Sequence, residues 1–142
     1  MSDLNRPVHV KAFATDRAGI KIPFSEQKIV DVLKGHIKSR VEKEGFQMSE
    51  SAVDTLVIDG EFVIIDQGNQ FLRWLIGPFG VGCTKLEVEG SLKVNDNVHK
   101  KFSYSRKGRG GFFGGNSENL LMNSCRGISK EIVNLLKLSA KG

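Results

Sequence analysis

Apolar residues recur along the chain in two rhythms. In residues 8–14 they alternate, with Val8, Val10 and Ala12 on one side and His9, Lys11 and Phe13 on the other. Period two is the spacing of a strand, so a first strand is expected there. Residues 15–21 are polar around Gly19 and are followed closely by Pro23, the pattern of a loop. From Ser25 the rhythm lengthens. Ile29, Leu33, Ile37 and Val41 recur every four residues beside Val30, which makes one apolar stripe of a helix over 25–44. Ser25 stands at its N-cap, Phe24 and Ile29 at the two positions of a hydrophobic staple, and Gly45 and Phe46 at a Schellman-type end. His36 lies at the edge of the stripe with no evident ligand partner, so a packed or half-exposed residue is expected.

The centre of the chain, TLVIDGEFVII, alternates again. Asp59 and Gly60 form a known hairpin dipeptide, but the alternation passes through Gly60 in phase. One long strand is therefore expected, with a bulge or a close contact at the glycine. Leu56, Ile58, Phe62 and Ile64 fall on one face and Val57, Val63 and Ile65 on the other, the two-sided apolarity of a central strand. In residues 84–94, Leu86, Val88, Leu92 and Val94 alternate with charged and polar residues. A turn at Asn95, Asp96 and Asn97 sends VHKKFSYS back as an antiparallel partner, with Val98, Lys100, Phe102 and Tyr104 on one side. Leu121, Cys125, Ile128, Ile132 and Leu135 keep helical spacing over 117–138. This order predicts a single α/β (α+β) domain spanning 1–142, with flexible ends at 1–7 and 139–142. Its sheet is mixed, mostly antiparallel and of about four to five strands, with two amphipathic helices packed on it.

Composition narrows the picture only a little. A chain of 142 residues can hold a core without a disulfide or metal. Cys83 and Cys125 lack redox or zinc spacing and read as small buried hydrophobes; a disulfide between them stays open if the protein lives outside the cytosol. The net charge of +5 permits a polyanionic partner without requiring one. No apolar run reaches the roughly 20 residues of a membrane span. The first ten residues carry no signal segment, which implies a cytoplasmic protein or one from which an export signal has been removed.

Candidate chemistry is sparse. His9, His36 and His99 have no ligand spacing, and the glycine-rich stretches 77–82 and 108–115 match no phosphate-binding motif. No enzyme activity, cofactor or metal is expected. Two stretches remain as binding candidates. Lys100, Lys101, Arg106, Lys107 and Arg109 are interleaved with Phe102, Tyr104, Phe112 and Phe113, the mixture that single-stranded nucleic acid binding uses. Against that, Phe102 and Tyr104 share the strand parity that should be buried. The apolar connection from Phe71 to Phe79 is either folded-in core or, if exposed, a docking patch whose candidate residues are Phe71, Arg73, Trp74 and Phe79.

Gly60, Gly68 with Asn69, Arg73, Gly77 and the Gly80-Val81-Gly82 run, followed by an alternating strand, resemble the pattern of a bacterial family of candidate lipoproteins. That family is catalogued as a domain of unknown function, number four-four-one-zero. Pro78 departs from the pattern by lengthening the turn between Gly77 and Phe79. The resemblance implies an α/β sandwich related to the N-terminal domain of TolB. It also implies an exported protein, periplasmic or outer-membrane-associated, that acts by binding an envelope protein and meets the membrane only through a lipid anchor absent from this chain. The expectation is thus a non-enzymatic protein-binding or scaffold module of the bacterial cell envelope. The alternative is a nucleic-acid-binding module using residues 93–113.

Overall fold

The computed structural model of the protein describes residues 6–22, 24–51, 53–68, 83–108 and 117–140. Five strands form one mixed sheet: β1 (Val8–Val10), β2 (Gly19–Lys21), β3 (Leu56–Asp66), β4 (Thr84–Val94) and β5 (Asn97–Gly108). Among the described residues there are two helices, α1 (Glu26–Lys43) and α2 (Ser117–Ala140). β3, β4 and β5 run as an antiparallel meander, while β1 and β2 pair in parallel with successive parts of β3. The expected mixed sheet under two helices is therefore what the chain builds.

Helix α1 forms where its local signals place it. The Ser25 hydroxyl accepts a hydrogen bond from the Gln27 amide at 3.3 Å. At the other end Gly45 adopts φ 88°, its amide donates to Glu42, and the Phe46 amide donates to Val41. Those two bonds satisfy carbonyls that the helix end would otherwise orphan. The stripe of Ile29, Val30, Leu33, Ile37 and Val41 is buried. On α2 the buried set is Leu121, Cys125, Ile128, Ile132, Val133 and Leu136, so Leu136 takes the core position expected of Leu135. The two helices pack against each other; α2 also lies over β4 and β5, and α1 reaches β1.

The strands keep the expected rhythm but change phase at three irregularities, each of which transfers later residues to the opposite face. From Val10 to Ala14 the edge segment uses four steps while β3 uses three from Ile58 to Glu61. Phe13 thereby enters the core at 3% exposure, whereas Ala12 is exposed. In β3 the register slips between Phe62 and Ile64. Ile65, not Ile64, is then the fully buried residue. In β5 the slip falls opposite Leu92 and Lys93, and Val98 leaves the side of Lys100, Phe102 and Tyr104. Residues 19–21, expected within a loop, form β2 against Ile64, Ile65 and Asp66.

At Gly60 the strand is continuous and the backbone crowded, as the unbroken alternation implied. Gly60 pairs with Gly90, and Gly90 with Phe102. A Cβ on Gly90 would lie 2.2 Å from the Asp59 carbonyl oxygen, and one on Gly60 2.8 Å from the Phe13 ring. The space above the glycines is filled by aromatic rings. Phe13 meets Phe62 at 6.0 Å and Phe102 at 6.2 Å between centroids, and Phe102 stacks on Tyr104 at 5.6 Å. The glycines let the sheet pass close beneath these rings.

Candidate functional site

Both described helices lie on one face of the sheet; on the other, Glu89, Lys101, Ser103, Ser105 and Lys107 are exposed, while Val57 and Ser91 are buried. There the alternation that buries Leu86, Val88 and Leu92 turns Glu87, Glu89 and Lys93 outward. Asp59 and Glu61 of β3, Ser91 and Lys93 of β4, and Val98, Lys101 and Ser103 of β5 line a hollow of about 880 Å³ with Arg17 at its rim. Gly60 and Gly90 form part of its floor. Among the described residues, no group of histidines, cysteines and carboxylates is arranged to hold a metal ion.

The charges in the hollow are largely matched. Glu61 and Glu89 stand directly opposite each other on β3 and β4, an unfavourable pairing on its own. Arg17 answers it with two hydrogen bonds, Nε to Glu61 Oε2 at 3.2 Å and Nη2 to Oε1 at 2.6 Å. The Glu61 contact, with a smaller contribution from the charge on Glu89, holds the Arg17 guanidinium protonated more firmly than usual. Lys93 donates to Asp59 at 3.2 Å. None of this was visible in the sequence: Arg17 precedes Glu61 by 44 positions and sits in a stretch that reads as a plain loop.

The basic residues expected to meet a polyanion divide between the two faces of β5. Lys101 and Lys107 are exposed on the open face. Lys100 and Arg106 have helix-side parity; Arg106 pairs with Glu131 of α2 at 3.0 Å. Phe102 is buried and Tyr104 half-buried, both turned toward α2, with the Tyr104 hydroxyl 3.5 Å from the Glu131 carbonyl oxygen. Burial, and then the Glu131 charge, push the Tyr104 hydroxyl above its ordinary pKa. Arg109, Phe112 and Phe113 lie outside the described residues, as do Phe71, Arg73, Trp74 and Phe79 of the apolar connection. Cys83 and Cys125 are both free. Cys125 is buried on the core side of α2, and its burial pushes the thiol pKa up to about 12, far from a reactive thiolate.

β5 is the last strand of the sheet on this side. Among the described residues no strand pairs with its outer edge along Asn97–Gly108. The opposite margin is different: it is made of the short strands β1 and β2, and Met48, just after α1, bridges to Val8 at the outer side of β1.

The described residues form an open α+β sheet with two helices on one face and an outer strand, β5, paired on one side only, an architecture that by itself fixes no function. This chain belongs to the family described as a domain of unknown function (DUF4410), whose model matches residues 16–114. The glycine pattern of residues 60–82 falls inside that match. Among solved structures it is similar to protein XCC0632 from Xanthomonas campestris, of family model DUF330, with a TM-score of 0.62 and 12% identity. That likeness covers 99% of this chain and 88% of the other, and it shows the fold alone. It is more distantly similar to the PelC dodecamer from Paraburkholderia phytofirmans in two crystals, at TM-scores of 0.45 and 0.44 and 9% identity. Those matches cover 90% and 89% of this chain and 86% and 89% of PelC. A search of curated proteins finds no match. No described helix is long and apolar enough to cross a membrane.

Proposed function

We propose that this protein is a non-enzymatic binding module of the bacterial cell envelope that holds a partner protein at the β5 side of its sheet. The observation that carries this reading is the contrast between the two sheet margins. One consists of two three-residue strands, with Val8 of β1 bridged by the chain's own Met48; the other presents twelve residues of strand with no described neighbour on the outer edge. An edge of that length exposes backbone donors and acceptors that another chain can pair. The resemblance to candidate lipoproteins supports an exported location.

The test is a photo-crosslinking residue at Ser103 in the cell, with a control at Asp31 on the outer side of α1. An envelope protein trapped at 103 and not at 31, together with an export signal encoded at the 5′ end of the gene, is the expected result. Crosslinks that are absent from 103, or equal at both positions, would refute the proposal. Nucleic acid is the competing partner. The exposed Lys100, Lys101 and Lys107 favour it, but Phe102 and Tyr104 face the helices and leave β5 little to stack bases on. Salt-sensitive retention of the protein on single-stranded DNA, with no crosslink at 103, would move the assignment there.

A further inference from the structure

We infer that the β5 edge takes an extended, acidic segment of its partner as a sixth strand. This rests on the protein-binding reading above and adds the chemistry of what binds. β5 carries Lys100, Lys101, Arg106 and Lys107 and no carboxylate. Glu131 engages Arg106, which leaves three exposed lysines to attract negative charge. A strand of this length spans about 40 Å at roughly 3.3 Å per residue, enough for a full partner strand.

The arrangement on the open face is more specific than a basic patch. Lys101 and Lys107 project on the same side, six residues apart, with only Ser103 and Ser105 between them. The small serines leave room for a neighbour's larger side chains, and the lysines call for carboxylates at matching spacing. The β5 bulge also turns Val98 onto this face, where it is 48% exposed beside Lys93 and Lys101. The matching segment therefore carries two acids six residues apart and an apolar residue toward the Val98 end.

Two other occupants fit less well. A second copy pairing antiparallel about the middle of β5 would set Lys100 and Lys101 against Arg106 and Lys107, and like charges facing each other oppose that pairing. A phosphate polymer supplies acceptors for the strand's amides but no donors for its carbonyls. A peptide strand supplies both.

The test uses the full chain and labelled peptides in a fluorescence anisotropy titration. The probe alternates threonine and valine and carries two glutamates six residues apart. Its controls are the same peptide with lysine for glutamate, a charge-matched version interrupted by proline, and oligothymidylate. The glutamate probe should bind, and the prolyl version should bind about tenfold more weakly because it cannot complete the ladder. In the Lys101→Glu/Lys107→Glu variant, preference should switch to the lysine probe. Both lysines are exposed, so unchanged circular dichroism will show that this variant folds. Equal binding of the prolyl peptide or oligothymidylate would overturn the inference, as would indifference to the double substitution or no binding of the glutamate probe. A partner crosslinked at Ser103 whose capture ignores the charge reversal would sink this inference and leave the protein-binding reading standing. Failure to crosslink any partner at Ser103 would remove both.

Discussion

At the scale of single residues, the glycines divide by what surrounds them. Gly90 has no room for a methyl group, since the Asp59 oxygen and the Gly60 Cα lie within 2.7 Å of where it would sit. Gly90→Ala should destabilise the protein by about 1–3 kcal/mol or more, read as a lower urea midpoint. Gly35 is the opposite case: nothing lies within 4 Å of its would-be Cβ, in the middle of α1. Gly35→Ala should raise stability by about 0.5–1 kcal/mol in the same assay. His36 carries a different signature. Desolvation, then the charges of Arg126 and Arg40, lower its pKa from the ordinary 6.5. The unfolded chain therefore binds a proton more readily than the folded one. Stability should fall as pH drops through 6.5 toward the depressed value, and level off below it. His36→Gln should flatten that part of the urea midpoint against pH; an unchanged slope would place the titration elsewhere. The half-packed state of His36 followed from its place beside the Ile37 stripe. The crowding at Gly90 did not, because it depends on how closely a strand thirty residues earlier approaches.

Elements show the same division more sharply. Helix α1 was legible nearly to the residue, because Ser25, Gly45 and the four-residue stripe act within a turn or two of their own positions. Membership of β1, β3, β4 and β5 was legible as well, while that of β2 and the phase of the strands were not. Phe13, Ile65 and Val98 each end on the face opposite to simple alternation, because an extra residue is accommodated against a partner strand whose register the local sequence does not encode. The Arg17 clamp belongs to this scale. It links the segment between β1 and β2 to a Glu61–Glu89 pair set side by side by the β3–β4 register. Removing the cation in Arg17→Ala should lower the denaturation midpoint at low salt, and Glu89→Gln in that background should restore most of it by ending the repulsion. Because the Arg17 side chain is 79% exposed, the loss should be small and should shrink in high salt. A loss that persists in high salt and resists the Glu89 change would mean that Arg17 acts by packing.

For the whole molecule, burial and pairing predict an order of opening. β3 and β4 are paired on both sides and share the core with α1 and α2, so their amides should exchange slowest. In β5, alternate amides point away from β4 and should exchange early in the free protein. They should become protected when an acidic strand probe is added. Uniform slow exchange along β5 in the free protein would mean that its edge is already covered. The basic residues of this strand were legible as a cluster, but their division between two faces, the inward turn of Phe102 and Tyr104, and the outer edge that no described strand pairs were not. By itself the sequence determined the two described helices, every described strand but β2, and where α1 is capped, because propensity, capping and periodicity act among near neighbours. Only the tertiary structure decided which side of each strand is wet, which distant charges meet and which strand, among the described residues, lacks a second neighbour. Each of those depends on pairing between segments tens of residues apart, where one extra residue exchanges inside for outside.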